Sequence, residues 1–203
     1  MDGKQRIVKE EEMKRTLYVS DLDGTLLNRQ SVLSETTIAT LNRILQEKKA
    51  LFTIATARTP ATVVDLMKEM KCSLPFVLMA GAVLWNDSKQ NYERVRAIPS
   101  ATVDKLLEIY GHYTIRPFIY RRHGNCLFVY HTFELTESER QFIEPRIQSP
   151  FKRLVTTESL TAQDPDDSVL VYSMGSYATL LNIANEIRAS QLPCTCLLYT
   201  SDA

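Results

Sequence analysis

The sequence predicts an α/β protein: an open parallel sheet flanked by helices at the N-terminal end, followed by an α+β insertion. Three observations carry this. Short apolar, β-rich runs recur at residues 17–20, 51–54 and 76–79. Segments of helical periodicity separate them, which is the alternation that builds parallel sheets through right-handed crossovers. Near Asn86 the alternation gives way to hairpin patterns.

The elements follow in order. "LYVS" at Leu17–Ser20 is an apolar strand. Ser34 stands as an N-cap before Ile38, Leu41, Ile44 and Leu45, whose spacing defines one apolar helical face. "ALFTIATA" is the second strand, and Thr59 then serves as N-cap with Pro60 at the first helical position. Val63, Val64, Met67 and Met70 form the apolar face of that helix, and Phe76 to Met79 supply the third strand. "GAVLWND" and "NYERVRAI" read as a hairpin around Ser88-Lys89-Gln90. Ser100 is expected to cap a helix through Val103, Leu106, Leu107 and Tyr110 that stops at Gly111. "RPFIYRR" and "NCLFVYHT" predict a second hairpin across His123-Gly124. Polar "TAQDPDD" precedes a further strand, "SVLVYSM", and helix, "SYATLLNIANEIRAS". The division expected is an N-terminal half-core over 1–86, an insertion over 87–195 and a separate tail over 196–203.

Composition narrows the partners. Lys plus Arg and Asp plus Glu number 24 each, so no net field favours nucleic acid or an anionic membrane surface. Residues 1–15 are charged throughout and lack the apolar stretch of a signal peptide, and no run approaches a membrane span. The chain therefore reads as cytoplasmic and soluble, with a small-molecule partner. Cys72, Cys126, Cys194 and Cys196 show no disulfide framework or zinc spacing, and His112, His123 and His131 lack close ligand spacing. Arg121, Arg122 and His123 form a basic cluster expected to be a solvated turn. Neither a dinucleotide-binding G-x-G-x-x-G after a strand nor a P-loop is present.

The first strand ends in "DLDGT". Residues two apart on a strand point the same way, so Asp21 and Asp23 can face one site beyond its carboxyl end, where ligands bind in open α/β sheets. Gly24 permits a sharp turn and close backbone approach, and Thr25 with neighbouring amides can donate to an anion. One carboxylate can attack phosphorus while the other handles protons, and the hard oxygen ligands suit Mg²⁺. The alternative for the bare tetrapeptide is a strand-capping or calcium-binding turn. The apolar strand before it, Thr-Leu-Leu after it and a second strand ending in Thr56 make the full pattern more specific.

With these residues the chain resembles the haloacid dehalogenase superfamily of phosphotransferases, whose first motif, DxDGT, is matched by Asp21 to Thr25. The resemblance implies a Rossmann-like core with Asp21 as nucleophile and metal ligand. It makes Asp23 the general acid/base, with its backbone carbonyl also on the metal, and Thr56 a phosphoryl ligand. Arg58 in "TIATAR" falls where the Cof-type subgroup usually reads Thr-Gly-Arg, with Ala57 replacing the glycine. "PFVLMAGAVLWND" is similar to the Cof-type segment leading into the cap, with Ala80 in place of an Asn. The region from about Asn86 then corresponds to that subgroup's large α/β cap.

The superfamily's later lysine and acidic Gly-Asp loop are not found after the insertion. "LPCTCLLYTSDA" is expected to enter a final cap strand, and its last eight residues resemble the translation of a transposon-end sequencing adapter. Core and cap are both expected to be incomplete at the C-terminus. The function implied is Mg²⁺-dependent phosphatase chemistry on small phosphorylated metabolites such as sugar phosphates or phosphorylated cofactors, with this chain inactive by itself. A non-catalytic phospho-ligand-binding module and mutase-type phosphoryl transfer are the alternatives.

Overall fold

The computed structural model describes residues 16–47, 50–161 and 167–199. The charged leader, most of "TAQDPDD" and the last four residues lie outside them.

Two strands, β1 (Leu17–Ser20) and β2 (Leu51–Ile54), pair in parallel with Leu17 opposite Leu51. Between them runs α1 (Glu35–Glu47), where the Ser34 hydroxyl accepts from the Thr37 amide at 3.1 Å and caps the helix as expected. Following β2, α2 (Pro60–Met67) starts on its proline, the residue pre-set for that position, and buries Val63 and Met67. Strand β3 (Phe76–Leu78) joins β2 through a parallel Ala55–Val77 bridge and pairs antiparallel with β4 (Val83–Asn86), which pairs with β5 (Asn91–Val95). The predicted α/β architecture, with its first hairpin, is present.

Next come α3 (Ser100–Gly111), β6 (Phe118–His123), β7 (Cys126–His131), α4 (Glu137–Ile143), β8 (Lys152–Thr156), β9 (Ser168–Tyr172) and α5 (Tyr177–Ala189). The strands form a four-stranded sheet in the order β8-β7-β6-β9. Helices α3 and α5 cover one face through Leu106, Ile109, Tyr110, Ile183 and Ile187. The other face belongs to a single apolar cluster that also contains Leu22, Ile54, Val63 and Leu78, so one core runs through both sheets. Trp85 is its joint: fully buried on β4, it meets Tyr92 and Phe151 edge-on at ring distances of 5.0 and 5.1 Å.

Several expectations need correction. Pro99, not Ser100, occupies the N-cap of α3. His123 pairs with Cys126, so the second hairpin turns on Gly124-Asn125, one residue later than the sequence suggested. Arg121 and Arg122 are consequently strand residues and not a solvated turn. Arg121 is 5% exposed, donates to the Thr161 carbonyl and lies 5.0 Å over the Tyr130 ring, while Arg122 pairs with Asp167 at 2.8 Å. Residues 195–199 form no strand; Cys194 and Cys196 instead rest against the α3–α5 cluster. Helix α4 adds an element to those expected, and Thr136 and Glu139 form its capping box. Among the described residues no helix is long and apolar enough to cross a membrane.

Candidate active site

The site is built at the carboxyl end of the β1–β2 pair. After Asp21 the chain makes one wide turn, Leu22–Leu26, closed by the Leu27 amide donating to the Leu22 carbonyl at 2.9 Å. Leu22 is wholly buried and anchors the turn in the core. Gly24 sits at φ 74° with open space where a Cβ would be, so backbone conformation and not crowding calls for glycine. Beyond β2, Thr56 is buried, its amide donating to the Val77 carbonyl at 3.0 Å and its hydroxyl accepting from the Arg58 amide at 3.2 Å.

An open cleft is lined by Asp21, Asp23, Ala55, Thr56, Ala57, Val77, Ala80, Gly81 and Tyr199. It brings together three of the six residues the sequence nominated: Asp21, Asp23 and Thr56. Gly24 and Thr25 lie in the adjoining turn, outside the lining. Arg58 reaches the site through Asp23, donating from Nε at 2.8 Å and from its terminal nitrogen at 2.6 Å. This two-pronged charge-assisted pair holds the Asp23 carboxyl below the usual carboxylate range and pushes the guanidinium further up. Asp21 is exposed, and among the described residues its carboxylate accepts no hydrogen bond that would occupy it.

The far wall is formed by Ala80, which the sequence marked as standing in place of an Asn, and by Gly81, which it did not single out. Met79, Ala80 and Gly81 all adopt positive φ, at 53°, 54° and 90°. The Ala80 amide donates to the Thr56 carbonyl at 3.1 Å and the Met79 amide to the Arg58 carbonyl at 3.0 Å, tying this turn to the strand-end loop. An alanine is strained in such a conformation, whereas Asn tolerates it. The asparagine that the Cof-type pattern places there therefore had a backbone rationale as well as a polar one. Tyr199, from the stretch expected to be a separate tail, also borders the cleft.

A family model of haloacid dehalogenase-like hydrolases matches residues 18–189, nearly the whole described chain. The chain belongs to this family. Solved structures of haloacid dehalogenase folds resemble it over most of its length. A haloacid dehalogenase-like hydrolase from Bacteroides thetaiotaomicron shares 20% identity at a TM-score of 0.62, covering 86% of this chain and 63% of that one. TM0651 from Thermotoga maritima gives 16% and 0.66, over 92% and 66%. The subclass IIB sugar phosphatase BT4131 gives 15% and 0.62, over 85% and 63%. The chain thus spans under two thirds of these proteins' lengths. No curated protein matches the sequence.

Proposed function

We propose that this haloacid dehalogenase-family chain carries the nucleophile-bearing part of a phosphoaspartyl phosphatase acting on small phosphorylated metabolites, sugar phosphates among them, in the cytoplasm. Residues 1–86 form its half-core and 87–195 its cap. The observation that carries this reading is the exposed Asp21 carboxylate at the end of β1, in one cleft with Asp23 and Thr56. The sugar phosphatase among the structural neighbours agrees with the substrate class.

Asp21 attacks phosphorus, forming an acyl-phosphate bond as the ester oxygen leaves. Asp23 gives the leaving oxygen its proton, then takes one from the water that attacks the aspartyl phosphate and frees Asp21. A group that Arg58 holds as carboxylate is poorly placed to donate a proton. The arrival of a phosphoryl group resolves this, because its oxygens compete for the guanidinium and release Asp23 to protonate. Arg58 is then a substrate ligand that exchanges partners, and the Thr56 hydroxyl, with amides of the Gly24-Thr25 turn, contacts the remaining oxygens. The donors fit Mg²⁺: the Asp21 carboxylate is free and hard, and Asp23 can add its backbone carbonyl while its side chain is engaged. Bound there, Mg²⁺ would offset the charge between carboxylate and phosphoryl group.

The test is hydrolysis of an aryl phosphate with excess Mg²⁺, measured for the full product of the gene and for residues 1–203 alone. Turnover is expected for the former, abolished in Asp21→Asn and lowered roughly 10²- to 10⁴-fold in Asp23→Asn. Residues 1–203 alone are expected to stay at background. Full activity in Asp21→Asn would remove the nucleophile. The Arg58–Asp23 pair also suits a module that binds phosphorylated ligands without turnover; binding of phosphate with no hydrolysis by the full product would favour it.

A further inference from the structure

We propose that Arg94 and Arg96 form a second anion subsite beside the cleft, so that the preferred substrate carries another negatively charged group besides the phosphoryl group it loses. This rests on the phosphatase reading and specifies its substrate class: a metabolite bisphosphate or a phosphorylated acid.

The end of β5 creates the pair. Val95, the last residue of the strand, packs against the core, and its exposed neighbours Arg94, within the strand, and Arg96, just past its end, line one depression. Arg94 lies opposite Leu84, and the Arg96 amide donates to the Ala82 carbonyl at 2.8 Å. Two positions apart in extended chain is about 7 Å, a spacing that lets both guanidinium groups reach one tetrahedral anion. They line a depression of about 200 Å³ with Gly81, Ala82, Val83 and Leu84. No acidic residue lines it.

Two further observations point to a ligand. Arg58 and Arg122 are each paired with an aspartate, and Arg43 with a glutamate. Arg94 and Arg96, like the exposed Arg29, Arg116 and Arg140, take part in none of the ion pairs or side-chain hydrogen bonds found among the described residues; what sets the two apart is that they share one depression. Mutual repulsion of two unpaired cations there is relieved by an anion between them. The location is equally specific. Gly81 borders both the depression and the cleft that holds Asp21, and Ala80 and Ala82 continue the wall on either side. A ligand whose phosphoryl group meets Asp21 can thus lay a second anionic group over Gly81 onto the arginines.

Calorimetric titration of residues 1–203 with propanediol, butanediol and hexanediol bisphosphates, and with the matching alkyl monophosphates, tests the subsite. At least one bisphosphate is expected to bind about tenfold or more tightly than its monophosphate, the worth of one or two charge-assisted contacts. In Arg94→Gln/Arg96→Gln that advantage disappears while monophosphate affinity is unchanged; Arg94→Lys/Arg96→Lys retains part of it. Both positions are exposed, so the variants fold. Equal affinity for the two ligand classes in the natural sequence, or an advantage that survives the double substitution, overturns the subsite and leaves the phosphatase reading intact. Bisphosphate binding that depends on the two arginines upholds the subsite, while the phosphatase reading is decided separately by hydrolysis in the full product of the gene.

Discussion

Strands β1 and β6 are alike in sequence and opposite in circumstance. "LYVS" in β1 and "FIYR" in β6 both read as apolar runs, yet Leu17, Tyr18 and Val19 are 51%, 58% and 53% exposed whereas Phe118, Ile119, Tyr120 and Arg121 are all buried. The cause is position. Strand β6 is paired on both sides and covered on both faces; β1 pairs only with β2. Stability in this molecule therefore sits in the four-stranded sheet and its joint at Trp85, while the candidate nucleophile hangs from the least covered strand. A loosely packed strand end leaves Asp21 open to ligand, at the cost of an apolar edge that favours association.

The sharpest way to break this comparison is to truncate one residue in each region. Trp85→Ala should destabilise the chain by about 3–5 kcal/mol, because a fully buried aromatic leaves a cavity shared by both sheets. Val19→Ala on β1 should cost under about 1 kcal/mol, since the side chain is already half in water. Urea unfolding of the two variants decides it; similar losses would mean that β1 is as well packed as the joint at Trp85.

A middle-sized effect is expected inside the well-packed region. Lys152 on β8 is 3% exposed, its ammonium 5.3 Å from the centroid of the Tyr120 ring, and burial, with Arg146 nearby, pulls its pKa down to about 8. A folded-state value below that of the unfolded chain means that the unfolded state holds more protons between the two. Stability should therefore rise as pH climbs from about 8 towards 10, and below 8 the full penalty remains. Lys152→Met keeps the stem, removes the charge and should gain on the order of 2 kcal/mol at neutral pH. Melting temperatures across that pH range check both statements; a flat profile in the parent chain would refute the first.

The smallest effect sharpens the picture at the site. Ala80 pays for its left-handed conformation, so Ala80→Asn should stabilise by up to about 1 kcal/mol. A destabilised Asn variant would show that the side chain is crowded in the cleft wall.

Local chemistry made much of this legible beforehand. The alternation of short apolar runs with capped helices determined the α/β core, because strand and helix periods are properties of adjacent residues. The "DLDGT" run determined where Asp21, Asp23 and the Gly24 turn fall, for the same reason. Three things required the tertiary structure. Burial of β1 versus β6 depends on neighbouring strands and covering helices, which no window of the sequence contains. The Arg58–Asp23 pair links residues 35 positions apart and sets the protonation of the candidate acid. Likewise, the Met79–Gly81 turn reaches the cleft, and Arg94 and Arg96 come beside it, only because β3, β4 and β5 pair beside β2; pairing register is a long-range property.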